Sequence, residues 1–175
     1  DRFGLRVLTF VWEDGGEVEL RELHGPARDV QGLLECIERY FMSIKAVKPE
    51  FGVPYNLDMK ATRQPLFDYT GHIGITGSHK GGLVVTCEKK LVEKLVTIVL
   101  GTENPGDDEV IPMIGEMANT IAGNARVHFG SGFDISVPSV VVGVPEEFKF
   151  LLAEPTLVIP FTWEGCAGNA IIGLT

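Results

Sequence analysis

Between Gly71 and Gly101 the chain reads strand, turn, strand, helix, and this order constrains everything that can pack around it. Gly71-His-Ile-Gly-Ile-Thr-Gly77 and Gly82-Leu-Val-Val-Thr-Cys87 are apolar, β-branched runs separated only by Ser78-His-Lys-Gly81. Such a link is far too short for a crossover, so the runs predict an antiparallel hairpin. A helix is expected from Glu88 to Leu100, with Leu91, Leu95, Ile98 and Val99 facing inward and Gly101 at the C-cap. After the spacer 102–106, a second helix is expected from Asp107 or Asp108 to about His128, closed by Gly130. Three candidate strands follow: Ile135 to Val144, Phe148 to Ile159 with Pro155 as an interruption, and Gly168 to Leu174. The tail Glu164–Thr175 faintly echoes Thr76–Thr86, a hint of internal duplication.

Upstream, residues 5–12 and 17–23 flank Glu-Asp-Gly-Gly and predict a two-stranded ribbon with one wet face. Asp29 suits the N-cap of an amphipathic helix running to about Ala46, with Val30, Leu33, Leu34, Ile37, Phe41 and Ile44 as its core stripe. Residues 47–70, with Pro49, Pro54 and Pro65, predict a meandering connection holding one short strand. At 175 residues the chain is expected to form a single domain over 1–175, with 1–25 as an N-terminal β-ribbon addition.

Charge and cysteine usage narrow the function. A net charge of −9 argues against nucleic acid as a partner, because that affinity comes from Lys and Arg neutralising phosphates. Lys89, Lys90 and Lys94 alternate with Glu88 and Glu93 as on a solvated helix face. No apolar run reaches the length of a membrane span and no signal-peptide layout opens the chain, so a soluble, cytoplasmic protein is expected, although a first residue of Asp leaves room for a longer parent chain. Cys36, Cys87 and Cys166 are widely spaced and unpaired, which points to small buried thiols rather than disulfides or zinc. His24, His72, His79 and His128 lack partners at metal-ligand spacing. Gly71, Gly74, Gly77, Gly81 and Gly82 match no phosphate-loop pattern and read as turn and bulge glycines. No Gly-x-Ser-x-Gly elbow is present, which disfavours a serine nucleophile.

The informative stretch is Met113-Ile-Gly-Glu-Met-Ala-Asn-Thr-Ile-Ala-Gly-Asn-Ala-Arg126. On a helix, Val110, Met113, Ile114, Met117, Ala118, Ile121 and Ala125 share one apolar side. Pro112, Glu116, Asn119 and Gly123 share a narrow outward stripe, and residues three apart are surface neighbours. An acid and an amide are therefore presented together. Gly115 and Gly123 each cost a helix about 1 kcal/mol relative to Ala. They serve either tight packing on a sheet or the close approach of a partner's backbone to Glu116 and Asn119, a pair whose spacing alone equally fits ordinary solvated surface residues.

Glu116-Met-Ala-Asn119, continued by Thr-Ile-Ala-Gly-Asn-Ala and then by Asp134-Ile-Ser-Val-Pro-Ser-Val-Val-Val-Gly143, resembles the signature region of the CheC/CheX/FliY chemotaxis phosphatases, CheX most closely. Ile73-Gly-Ile-Thr-Gly77, the glycine-containing turn, Leu83-Val-Val and the helix ending Val99-Leu-Gly101 are similar to the same family in the same order. The likeness is loose over about residues 27–175 and close over 71–144. It implies an α/β (α+β) fold of CheC/CheX type, a mainly antiparallel sheet with packed helices, and a homodimer paired through sheet edges. Two features depart from the pattern. Pro112 stands where the family often has Asp or Ser, and the ribbon at 1–25 is additional.

What the resemblance implies is a phosphatase for the phospho-aspartate of a CheY-type response regulator, acting without a covalent intermediate. Asn119 would place the attacking water and Glu116 would meet the receiver's active-site lysine. The chain would need no cofactor of its own, because Mg²⁺ belongs to the receiver. Two other readings stand beside it: a non-catalytic CheX-like adaptor that docks on a receiver, motivated by Pro112 and the ribbon, and a flagellar-switch component related to FliY.

Overall fold

The computed structural model describes residues 8–11, 17–20, 30–58, 65–145, 150 and 152–175. In chain order the elements are β1 (Leu8–Val11), β2 (Glu17–Leu20), α1 (Val30–Ile44), β3 (Glu50–Phe51), β4 (Tyr55–Asn56), β5 (Tyr69–Gly77), β6 (Gly81–Cys87), α2 (Lys89–Leu100), α3 (Asp107–Phe129), β7 (Phe133–Ile135), β8 (Ser139–Val142), β9 (Leu157–Trp163) and β10 (Cys166–Leu174). β1 and β2 pair antiparallel, Leu8 opposite Leu20, as the ribbon pattern predicts. The glycines between them and the Asp29 cap lie outside the described residues.

The main sheet has eight strands in the order β3-β9-β10-β6-β5-β7, with β4 added to β9 and β8 added to β5. Every pairing is antiparallel. At its centre two hairpins lie side by side, β5–β6 and β9–β10, joined where Ile171 faces Val84. The two segments that echo each other in sequence are thus adjacent central strands. Gly77 and Gly81 bracket the first hairpin turn with φ of 97° and 146°, values that disfavour any side chain.

Alternation divides the sheet into a helix-covered face and one covered by connecting chain. Leu83, Val85 and Cys87 join the main core, whereas Val84 between them belongs to a smaller cluster with Leu66, Val158 and Ile171. Leu57, Phe150 and Leu152 complete that second cluster. Chain returning to the sheet is tied down by polar bonds: the Thr86 hydroxyl accepts from the Phe67 amide at 2.7 Å, and Asn169 Nδ2 donates to the Pro65 carbonyl at 2.9 Å.

All three helices contribute to the core cluster on the other face. In α1, Val30, Leu33, Leu34, Ile37 and Phe41 are buried as the stripe predicts, and Phe41 stacks on Trp163 with centroids 4.9 Å apart. In α2 the buried stripe is Leu91, Val92, Leu95 and Val96. The inward placement expected of Ile98 and Val99 is overturned, since both are exposed in a final helical turn that lies clear of the core. Gly101 closes α2 in the left-handed conformation expected of a C-cap.

Strand boundaries differ from expectation where proline intervenes. The run expected to be one strand from Ile135 to Val144 is two, β7 and β8, separated by Pro138. Both lie on β5, with pairs Ile75↔Ile135 and His72↔Ser139 whose registers differ by one residue, so the break is a bulge. Ser136 fills it, its amide donating to the Gly74 carbonyl and its hydroxyl accepting from the Gly74 amide, each at 2.8 Å. The strand expected over Phe148–Ile159 begins instead at Leu157, beyond the cis Glu154–Pro155 bond, and continues to Trp163. The connection 47–70 holds two very short strands rather than one, both on β9, and β5 already starts at Tyr69.

One contact sets the position of α3. A Cβ on Gly71 of β5 would sit 2.8 Å from the Ile114 carbonyl oxygen and 3.0 Å from Ala118 Cβ, so backbone meets backbone there. Gly71→Ala is therefore expected to destabilise the protein by about 1–3 kcal/mol through overpacking. Gly74→Ala, whose methyl would reach Ser136 Oγ only at 3.4 Å, is expected to cost less than about 1 kcal/mol. Urea denaturation of the two variants checks the contrast.

Candidate functional site

α3 is held along its apolar side by Val110, Ile114, Met117, Ala118, Ile121, Ala122 and Ala125, all buried, with Met113 partly so. Burying each of the larger side chains stabilises by roughly 1.5–3 kcal/mol. Its first turn is anchored separately. The Tyr69 hydroxyl donates to Asp107 Oδ1 at 2.5 Å, joining the start of β5 to the start of α3. That bond, with burial and the charges of Asp107, Glu93 and Asp68 behind it, pushes the Tyr69 phenol up to about 12. Neighbouring Asp68 accepts from the Lys89 amide at 2.8 Å and so caps α2, while Glu88, the residue before that helix, instead accepts from the Ala167 amide at 2.9 Å.

On the opposite side of α3, Pro112 and Glu116 are exposed, and Asn119, Thr120 and Gly123 are half-buried. Glu116 and Asn119 are thus brought together one turn apart on a side that faces away from the core. Thr120, which the sequence pattern did not single out although it follows Glu116 by one helical turn, donates from its hydroxyl to Glu116 Oε1 at 3.4 Å. Beneath the stripe, burial first, then the Cys87 thiol and the Glu116 carboxylate, push the Tyr40 phenol well above its ordinary value. Tyr40 of α1 is therefore a buried neighbour within electrostatic reach of Glu116, and no spacing within α3 could have pointed to it.

The two glycines part company. Gly115 is buried, and a Cβ there would press on Val140 Cγ2 at 3.3 Å and on Pro138 at 3.6 Å. The expected approach of a partner's backbone at Gly115 is overturned: β8 already occupies that side. Around Gly123 no atom of the described residues beyond the adjoining helix backbone and its chain neighbours lies within 4 Å of the Cβ position.

Elsewhere, burial pushes the Cys36 thiol up to about 11 and raises Cys87 further still, and all three cysteines are free and buried, as their apolar neighbours predict. Among the described residues no three His, Cys, Asp or Glu side chains gather as a metal site, and no helix is long and apolar enough to cross a membrane. His128, expected at the C-terminal end of α3, lies in its last turn with Nε2 3.9 Å from Glu35 of α1.

Comparison with known proteins identifies the family. The family model described as chemotaxis phosphatase CheX matches residues 69–162. The chain belongs to the CheX family. The CheY-P phosphatase CheX of Thermotoga maritima is 28% identical over 122 residues, which cover 67% of this chain and 77% of that protein. A chemotaxis protein of Desulfovibrio vulgaris Hildenborough superposes with a TM-score of 0.71 at 25% identity, covering 85% of this chain and 97% of that one. The Borrelia burgdorferi CheX solved as a CheX–CheY–BeF3–Mg²⁺ complex superposes with a TM-score of 0.65 at 20% identity, covering 83% and 96%. CheX-like architecture, expected from the motif order, is thereby established for this chain.

The anchor of α3 is testable by pH. The unfolded phenol ionises near 10.0 and the folded Tyr69 near 12, so the Tyr69–Asp107 contribution is complete below pH 10 and is lost as the pH rises from 10 toward 12. Tyr69→Phe is expected to lower stability at neutral pH and to flatten the decline between those two values. Denaturant midpoints of both proteins measured across that window check this.

Proposed function

We propose that this CheX-family chain dephosphorylates the phospho-aspartate of a CheY-type receiver by inserting Glu116 and Asn119 of α3 into the receiver's active site. The observation that carries the proposal is the pairing of those two side chains on the wet side of a helix locked at its apolar side by β5. The signature-bearing stretch sits within the family match, and the Thermotoga relative bears the name CheY-P phosphatase.

An acyl phosphate is already reactive, and a receiver domain supplies Mg²⁺ and a lysine around the phosphoryl group. What this chain contributes is position. The Asn119 carboxamide offers both a donor and an acceptor and can orient a water toward phosphorus. As the water's oxygen bonds to phosphorus, the bond from phosphorus to the receiver carboxylate breaks and inorganic phosphate leaves with the water's oxygen. Asn119 cannot serve as a general base of useful strength, so its contribution is geometric. Glu116 makes a charge-assisted contact with the receiver lysine and fixes the docking angle, its carboxylate steadied by the Thr120 hydroxyl.

Asn119→Ala is expected to keep the fold and to slow receiver dephosphorylation by on the order of 10²-fold. Phosphate release measured at saturating phosphorylated receiver checks it, and a full rate in that variant excludes water positioning by Asn119. Glu116→Lys places a cation against the receiver lysine and is expected to weaken binding at least about tenfold. Unchanged affinity in a titration removes Glu116 from the interface.

One observation favours a second reading, in which the domain docks on a receiver without hydrolysis. Pro112 is exposed on the same stripe, one turn before Glu116, where the family often has Asp or Ser. A pure adaptor would bind phosphorylated receiver while leaving the decay of its phosphoryl group unchanged.

A further inference from the structure

α3 carries two glycines in its interior, and packing among the described residues accounts for only one of them. Gly115 must be small because Val140 and Pro138 of the β8 side lie against it. Gly123 has helical backbone, and beyond that backbone and its chain neighbours a methyl group there would meet nothing among the described residues within 4 Å. Glycine in a helix interior is less favourable than alanine, since it surrenders more backbone freedom on folding. At Gly123 no packing contact from another element among the described residues offsets that loss.

The neighbours of Gly123 along the helix surface are informative. One turn toward the N-terminus stands Asn119, and one turn toward the C-terminus stands Val127, an aliphatic side chain 73% exposed. The residues on either side of Val127 are engaged elsewhere. Arg126 reaches Asp134 of β7 at 3.4 Å, and the ring of His128 lies over Gly32 of α1. Val127 therefore projects between two anchored flanks, continuing the stripe of Glu116, Asn119 and Gly123 without interruption.

We propose that the receiver-docking surface extends past the reacting pair along this stripe. Gly123 is the point where receiver backbone comes closest to the α3 axis, and Val127 is the apolar anchor one turn further on. This rests on the receiver reading given above and goes beyond it by naming where docking affinity and partner choice arise. The occupant is the receiver because the stripe is continuous with Glu116 and Asn119. A receiver seated on those two side chains covers the adjoining turns of the same rigid helix. Its complementary surface would be a backbone segment and an apolar side chain beside the phosphorylation site. An exposed aliphatic group flanked by polar neighbours is well suited to such a contact, because water is excluded around it on docking.

The two substitutions have expected effects that an internal structural role would not produce. Gly123→Ala removes backbone freedom from the unfolded chain and meets no clash, so its melting temperature is expected to rise by roughly 2–5 °C. At the same time its Kd for a CheY-type receiver loaded with BeF3⁻ and Mg²⁺ is expected to rise at least about fivefold, because the added methyl holds the partner off. Val127→Asp is expected to leave the melting temperature within about 1 °C and to raise that Kd at least about tenfold, the loss in kcat/KM falling on KM. The measurements are calorimetry and titration against a panel of such receivers, with wild type alongside. A lower melting temperature for Gly123→Ala would show that the glycine serves packing within the chain and would overturn the proposal. Wild-type affinity in both variants would overturn it while leaving the receiver reading intact. If wild type binds no receiver in the panel, both fall together.

Discussion

The approach of α3 to β5 is the contact on which the rest of the molecule depends. At Gly71 the strand has no side chain, and the Ile114 carbonyl and the Ala118 methyl occupy the space one would fill. Close packing of this kind transmits position, because an interior at crystal-like density cannot absorb a displaced helix without opening a void or forcing a clash. The consequence reaches the far side of the helix. Residues 114, 117 and 118 are pinned, so 116 and 119 are pinned with them, and the outward side chains inherit the rigidity of the sheet. The water positioning proposed for Asn119 would need that rigidity, since small misplacements of a reacting group are costly.

Sheet and helices are joined by polar contacts where apolar packing runs out. Asp68, at the entrance to β5, caps α2, and Tyr69, the next residue, holds Asp107 at the start of α3. Two adjacent residues thereby fix the N-terminal ends of two helices. Acidic side chains at those ends also meet the positive pole of each helix. The link from α2 to α3 is consequently held where it enters α3, and α3 cannot slide along β5 without breaking the Tyr69 bond.

How much of this was legible in the sequence follows from the range of each interaction. The hairpin β5–β6, the helices and the Glu116–Asn119 stripe rest on contacts within a few residues, where periodicity and glycine placement are visible. The ends that went astray are those decided at long range. Ile98 and Val99 fit a helical stripe, yet the core does not extend to the last turn of α2. The apolar pattern of residues 135–144 cannot reveal the bulge at Ser136, because its register is set by Gly74 on another strand. Gly115 and Gly123 look alike in sequence, and only the position of β8 tells a packing glycine from an open one. Tyr40 and Tyr69 were invisible for the same reason: their partners, Glu116 and Asp107, lie far along the chain.

α3 also shows how a helix proposed to dock a partner can be built from poor helix formers. Pro112 removes the amide that would bond the Asp108 carbonyl, and Gly115 and Gly123 weaken the interior further. An isolated peptide of this sequence would form little helix, since helical stability in proteins comes mainly from burying an amphipathic face. Here the face supplies it: Ile114, Met117, Ala118 and Ile121 are fully buried, and the Tyr69–Asp107 bond prevents the first turn from fraying. Once the apolar side determines the conformation, the outward side is released from propensity and can take residues chosen for what they meet. Proline, glutamate, asparagine and glycine then stand in one line, a combination that helix energetics alone would not select and that the proposed docking of a receiver would explain.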